Sequence, residues 1–196
     1  MTADSVAPDA VVPLLRGRLG QPYVYLARCE STQRELAPDA PEGAVVVTDE
    51  QTSGRGRLGR RWLAPPRTSI LLSVNLRPPV ETQRLPELPL VAGRACAEAI
   101  AHVTEIRPEI KLPNDLLVKG RKLAGILAEA REGRVVLGIG VNVNVPEEAL
   151  PRAVDTPPTS LLVELGRPVS RALLVAEILL RLERHYDEWA AQRVGG

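Results

Sequence analysis

The chain has 196 residues, 44% of them hydrophobic and 25% charged, with no Phe and a formal net charge of +1. That length holds one good core and at most a small appendage, and the near-neutral balance excludes a general nucleic-acid coat, so any basic site has to be local. Two cysteines, Cys29 and Cys96, without metal-ligand spacing exclude a disulfide scaffold and point to a reducing cytoplasm. No apolar run is long enough to cross a membrane, and Met1 to Ser5 lack the basic-then-apolar order of a signal peptide.

In chain order, residues 1–20 read as an extension, partly helical around Leu14 to Leu19. Tyr23 to Cys29 reads as a strand and Thr32 to Leu36 as a short helix, with Thr-x-x-Glu at its start as a capping box. Ala44 to Gln51 is β-branched and reads as a strand, and Thr68 to Leu76 is a second strong one. Leu85 to Val103 is a helix whose first turn carries Pro86 and Pro89, where proline is tolerated. Ile106 to Arg131 holds two or three strands around a Pro-Asn-Asp turn at 113–115, and Arg134 to Val145 is another strand. A Pro-rich surface connection covers 146–158. Ser170 to Ala190 is a long helix with Leu174, Ile178, Leu182, His185 and Trp189 on one stripe. The sum is an α+β fold, a mixed β-sheet with helices mainly on one face.

Four segments carry chemistry. The first is Gln51-Thr-Ser-Gly54-Arg55-Gly56-Arg57-Leu-Gly59-Arg60-Arg61-Trp62. Glycines let a ligand approach the backbone, and guanidinium forks suit phosphate or carboxylate. Its G-x-G-x-x-G does not make a dinucleotide fold, because two prolines and a strand follow where a phosphate-binding helix is required. A solvated basic hairpin explains one arginine better than it explains four spaced by glycines. The second segment runs from Lys111-Leu-Pro-Asn114-Asp115 to Arg121-Lys122-Leu-Ala-Gly125, a turn followed by a lysine entering an apolar strand. In the third, Gly138, Gly140, Asn142 and Asn144 share one strand face and Ile139, Val141, Val143 and Val145 the other. That polar face is either a floor for a flat polar ligand or simply wet. The fourth, Ser31-Thr32-Gln33, sets hydroxyls at a helix start. His102 and His185 have no nucleophile beside them, His185 reads as packed, and Cys29 reads as a buried strand residue.

Taken together, these segments resemble the biotin–protein ligases, in order from Tyr23 to Trp189; the conjunction of the Gly/Arg loop, Lys-Leu-Pro-Asn-Asp and Arg-Lys-Leu-Ala-Gly-Ile-Leu is far more specific than any one of them. The resemblance implies the biotin–lipoate ligase catalytic fold, which is similar to class II aminoacyl-tRNA synthetases. It implies activation of biotin by ATP and Mg²⁺ to biotinyl-5′-AMP with release of pyrophosphate, then transfer to a lysine of a biotin carboxyl carrier protein. By position, Ser31, Thr32, Gln51, Gly54, Arg55, Arg57, Lys122 and Gly125 would bind biotin. Arg57, Arg60, Trp62, Lys111, Asn114, Lys122 and Asn142 would bind ATP and the adenylate. Lys122, Arg57 and Asp115 would be catalytic, with Asp115 on the Mg²⁺ side. Leu112 stands where the family usually has tryptophan before Pro-Asn-Asp. The expectation is a catalytic domain over 1–196, without the helix-turn-helix domain of repressor-type members or the small SH3-like domain at the end. It is cytoplasmic, binds no DNA and no membrane, and is left open as a homodimer. A non-catalytic biotin sensor and a lipoate-type ligase are the alternatives.

Overall fold

The computed structural model describes residues 4–152 and 155–192; the first three positions of the extension, two within the Pro-rich connection and the last four residues of the chain lie outside the described residues. Seven strands form one sheet: β1 (Tyr23–Leu26), β2 (Val45–Thr48), β3 (Ser69–Leu76), β4 (Glu109–Lys111), β5 (Asp115–Val118), β6 (Arg121–Arg131) and β7 (Arg134–Asn142). Their order is β1-β2-β3-β7-β6-β5-β4, and only β1 and β2 are parallel. The helices are α1 (Pro8–Val11), α2 (Thr32–Glu35), α3 (Leu88–Thr104), α4 (Leu161–Leu165) and α5 (Arg171–Ala191). A parallel pair cannot be closed by a tight hairpin, and the β1–β2 crossover carries α2.

Period-2 patterning divides the sheet. Leu137, Ile139 and Val141 of β7, with Ile70, Leu72 and Val74 of β3, turn toward α3 and α5 and form the main core with Leu88, Ala95, Ala99, Leu174, Ile178 and Leu182. Each fully buried Leu or Ile there contributes about 1.5–3 kcal/mol. The opposite face carries Gly138, Gly140 and Asn142, paired across to Ser73, Leu71 and Ser69 of β3; Leu127 and Gly125 of β6 pair with Gly138 and Gly140. A small second cluster of Leu36, Ala44, Val46 and Val136 packs on that side, beneath α2.

Several element boundaries differ from the sequence expectation. The extension is helical at Pro8–Val11 and Val12–Leu14, not Leu14 to Leu19, because Pro8 and Pro13 suit first-turn positions. β1 stops at Leu26, and Cys29 joins Gln51 through an isolated bridge; Cys29 is half-buried, and burial pushes its thiol pKa up, away from nucleophile behaviour. α3 begins at Leu88, with Pro86 in a preceding 3₁₀ turn over Thr82–Glu87. β7 ends at Asn142; Asn144 is bound to Asp4 and Val169 and so leaves the polar face. On α5 the stripe runs through buried Tyr186, whose hydroxyl donates to Glu42, while His185 faces Glu98. α4 was not foreseen; Ser160 caps it and Gly166 ends it at φ 69°.

Arg171, at the start of α5, is completely buried yet fully partnered. Its Nε donates to Asp4 Oδ2 at 2.6 Å and its Nη1 to Asp49 Oδ1 at 2.8 Å, while Asp4 Oδ1 accepts the Arg171 backbone N–H. Tyr25 donates to the other Asp49 oxygen at 2.8 Å. A buried charge is tolerable only with such pairing, and here it fastens residue 4 to the end of β2.

Candidate active site

A cleft of about 710 Å³ opens over the glycine-bearing face, walled by the start of α2, the Gly/Arg loop, the β4–β5 turn and the Pro-rich connection. Every residue expected in the site lines it except Gly54, which lines an adjoining depression with Arg34 and Glu129. Gly54 is pressed against the returning arm of its own loop, and a Cβ there would lie 2.5 Å from the Trp62 carbonyl oxygen.

The loop is a hairpin. Arg55 bridges to Arg61, Gly56 N–H donates to the Arg60 carbonyl, and Trp62 N–H donates to the Gly54 carbonyl. Leu58 and Gly59 turn its tip with φ of 57° and 74°. The four arginines have separate partners: Arg55 pairs with Glu129 at 3.2 Å, Arg57 donates to Asn114 Oδ1 at 3.3 Å, Arg60 pairs with Asp155 at 3.1 Å, and Arg61 donates to the Thr52 carbonyl at 2.9 Å. Arg57 is therefore the one that joins the loop to the Pro-Asn-Asp turn of the second segment. Asn114 in turn donates to the Ile126 carbonyl, which holds that turn against β6.

The glycine face has an explanation in close packing. The Trp62 indole lies on it: a Cβ at Gly140 would sit 2.7 Å from the ring, and one at Gly125 2.9 Å. Lys122 folds over the same floor, with its Nζ 5.7 Å from the Trp62 ring centre and 2.9 Å from Asp115 Oδ1. The angles of that ion pair fall short of a hydrogen bond, so Asp115 Oδ1 has no hydrogen-bonded donor. The Lys122 backbone is fixed on both sides by the Pro-rich connection: its N–H donates to the Pro157 carbonyl at 2.7 Å, and its carbonyl accepts from Thr159 at 2.8 Å. Lys111 donates to Thr156 on the same connection, and Asn142 to the carbonyl of Thr159 just after it. The stretch expected to be a mere surface connection is thus a wall of the cleft.

At the inner end, Thr32 does not act as a helix cap. Ser31 is the N-cap residue, without a side-chain capping bond. Thr32 N–H and hydroxyl both donate to Gln51 Oε1, at 2.9 and 3.2 Å, and the hydroxyl lies 2.8 Å from Ser73 Oγ. Gln51 outcompetes the capping box because it reaches the first free N–H of the helix from the neighbouring bridge. Its Oε1 is thereby occupied and its amide nitrogen left to donate.

Charge and unmet bonding both concentrate here. Arg55, Arg57, Arg60, Arg61, Lys111 and Lys122 face the cleft against Asp115 and Asp155, in a chain of net charge +1. Among the described residues, five buried side-chain polar atoms lack a hydrogen bond; Ser31 Oγ, Gln33 Oε1, Trp62 Nε1 and Asp115 Oδ1 belong to cleft residues, and only Ser69 Oγ does not. The Lys122 ammonium 2.9 Å away offsets the charge at Asp115 Oδ1; each of the others costs about 1–3 kcal/mol. The arrangement suits a ligand that is polar at its inner end and anionic toward the arginines. Sequence reasoning missed Gln33 and the wall at 155–158, whose contacts are to residues far along the chain.

Comparison with known proteins gives the same direction. A model of the biotin/lipoate A/B protein ligase family matches residues 25–145. The chain is 39% identical to the bifunctional ligase/repressor BirA of Bacillus spizizenii over 87% of its own length and 55% of the relative's. It is 41% identical to the biotin–[acetyl-CoA-carboxylase] ligase of Mycobacterium tuberculosis, covering 84% of this chain and 64% of the relative. For the ligase of that name from Paracoccus denitrificans, the figures are 36%, 85% and 72%. Among solved structures it is similar to the biotin protein ligase of Aquifex aeolicus in complex with biotin and ATP, with a TM-score of 0.76 and 33% identity over 86% of this chain and 72% of that one. The chain spans about half the length of the BirA relatives it matches.

Proposed function

Since the chain belongs to the biotin/lipoate A/B protein ligase family, we propose that it is an ATP-dependent biotin–protein ligase. The observation that carries this is Lys122 Nζ, held over a glycine floor between Trp62 and Asp115 with a cationic hairpin on one side and an inner end of hydroxyls and carboxamides on the other. The Aquifex aeolicus structure with biotin and ATP, and a Leishmania major ligase with biotinyl-5-AMP at a TM-score of 0.72, support the choice of ligands.

The chemistry runs in two steps. A biotin carboxylate oxygen attacks the α-phosphorus of ATP; the bond to the β-phosphate bridging oxygen breaks, and pyrophosphate leaves. Two anions must meet, and Lys122 and Arg57 offset that repulsion as charge builds on the α-phosphate. A carrier-protein lysine, as free amine, then attacks the activated carbonyl; AMP leaves, and the amine's proton passes to solvent. Trp62 and the hairpin would shield the adenylate from water between the steps.

Mg²⁺ arrives with ATP as substrate. Asp115 would lie on the ion's side, and the ion would offset charge on the leaving pyrophosphate. Ser31, Thr32 and Gln51 are the proposed contacts to biotin's cyclic urea, with Gly125 beside it. Trp62, Lys111, Asn114, Asn142 and Arg60 serve the adenylate side. No described helix is long and apolar enough to cross a membrane, and free Cys29 and Cys96 fit a cytoplasmic setting.

The test is to mix the protein with biotin, MgATP and a carrier domain and follow the carrier by mass spectrometry. A mass gain of one biotinyl group is expected. Biotin binding without adenylate or transfer would favour the sensor alternative, and transfer of lipoate in preference to biotin would overturn the substrate.

A further inference from the structure

Lys122 stands at an irregularity in the sheet. The pairing of β5 with β6 slips there: Leu116 faces Ala124 but Leu117 faces Lys122, so β6 holds one residue more than its partner. Such a bulge bends its strand and re-aims the side chains beside it. On its other edge, β6 is paired with β7 only from Ala124 onward. Lys122 lies before that point, and its neighbour on that edge is the stretch 157–159, bridged to it at Pro158. That stretch takes the Lys122 N–H on the Pro157 carbonyl at 2.7 Å and gives the Thr159 N–H to the Lys122 carbonyl at 2.8 Å. The direction of the Lys122 side chain therefore depends on three residues that belong to none of the seven strands.

Glu164, on α4, is what holds them. Its side chain is 5% exposed. Oε1 accepts from the Thr159 hydroxyl at 2.7 Å, and Oε2 pairs with Lys119 Nζ at 3.0 Å. Arg121 Nη1 lies 4.0 Å from Oε1, while Arg121 Nε donates to the Pro158 carbonyl at 3.1 Å. Burial opposes the charge, yet the bonds from Thr159 and Lys119, with Arg121 nearby, hold the carboxyl below its usual range. One buried carboxylate thus fastens the stretch beside Lys122 to Lys119 and Arg121 at the β5–β6 turn. Neither Glu164 nor Thr159 lines the cleft, so whatever they do for the chemistry they do through another residue.

We propose that Glu164 is a positioning residue of the cleft: by seating Thr159 it keeps 157–159 against the bulge and so sets where the Lys122 ammonium lies as carboxylate and α-phosphate meet. This deepens the ligase reading and rests on it. A displaced charge costs most in the transition state, where its alignment counts.

The experiment follows biotin-dependent pyrophosphate release from the full chain with MgATP, with thermal melting to verify that each variant is folded. Glu164→Ala should lower kcat about 10- to 100-fold and leave KM for biotin and ATP within about threefold. Glu164→Gln keeps an acceptor for the Thr159 hydroxyl and should return kcat to within about threefold of wild type. Added to Lys122→Ala, the Glu164→Ala change should cost less than about twofold more, because its effect passes through the missing ammonium. Should Glu164→Ala fail to fold, Thr159→Val removes the same bond, leaves the carboxylate its cations, and takes its place in both comparisons. Unchanged kcat in the folded variant, an equal loss with and without Lys122, or a Gln variant as slow as the Ala variant overturns the proposal. Absence of pyrophosphate release by the wild type would instead sink the ligase reading itself.

Discussion

The two faces of the sheet are built from the same strands to opposite rules. Toward α3 and α5, alternate residues such as Leu137, Ile139 and Val141 fill space completely, and even the buried guanidinium of Arg171 has two carboxylates. On the other side, glycines at 125, 138 and 140 remove side chains so that Trp62, Lys122 and Gln33 can lie close to the backbone, and among the described residues five buried polar atoms go without hydrogen bonds. Incomplete satisfaction on one face, beside complete satisfaction on the other, marks where a ligand belongs.

Mutations should separate the faces cleanly. The largest effect is expected for Lys122→Ala: adenylate formation, followed by pyrophosphate release, should fall roughly 10²–10³-fold, as for loss of one fixed transition-state donor. A near-normal rate would take Lys122 out of the chemistry. The neighbouring residues 139 and 140 offer an internal contrast. Ile139→Ala should cost about 2–5 kcal/mol in urea unfolding while biotin affinity in the folded protein stays within about threefold. Gly140→Ala should do the reverse, weakening biotin about tenfold, or 1.4 kcal/mol, with little loss of stability, because the three atoms nearest the added Cβ all belong to the Trp62 ring. Equal effects of the pair on binding would dissolve the distinction. Arg57→Gly removes the tie between the hairpin and Asn114, and release of biotinyl-AMP into solution should quicken by about tenfold; unchanged retention would mean the hairpin does not confine it. Smallest is Ser160→Ala, which loses the cap of α4 and should cost about 1 kcal/mol in unfolding while leaving adenylate formation intact.

Much of this division was legible in the residues. The alternation from Gly138 to Asn142 announced a strand with two unlike faces, and the prolines after Trp62 excluded a nucleotide-binding helix. What stayed hidden depends on partners distant in the chain. Thr32-Gln-Arg-Glu satisfies the capping pattern locally, but Gln51 reaches the helix first. The Pro-rich connection has surface-loop composition, yet its backbone pairs with Lys122. Gln33 looks like an ordinary helix residue until Leu127 and Gly138 are brought beneath it. Asn144 continues the polar alternation in sequence, while Asp4 and Val169 draw it elsewhere.

The tie between Asp4 and Arg171 has a practical consequence for anyone preparing the protein. A version trimmed to begin at α1 would strip one of two carboxylates from a guanidinium with no access to water, and would uncover the first N–H of α5. The surviving carboxylate is Asp49, two positions before Gln51. Preparations that differ only in their first few amino acids should therefore differ in how rigidly the inner end of the cleft is held, and affinities measured on tagged, trimmed and untouched protein belong on separate scales.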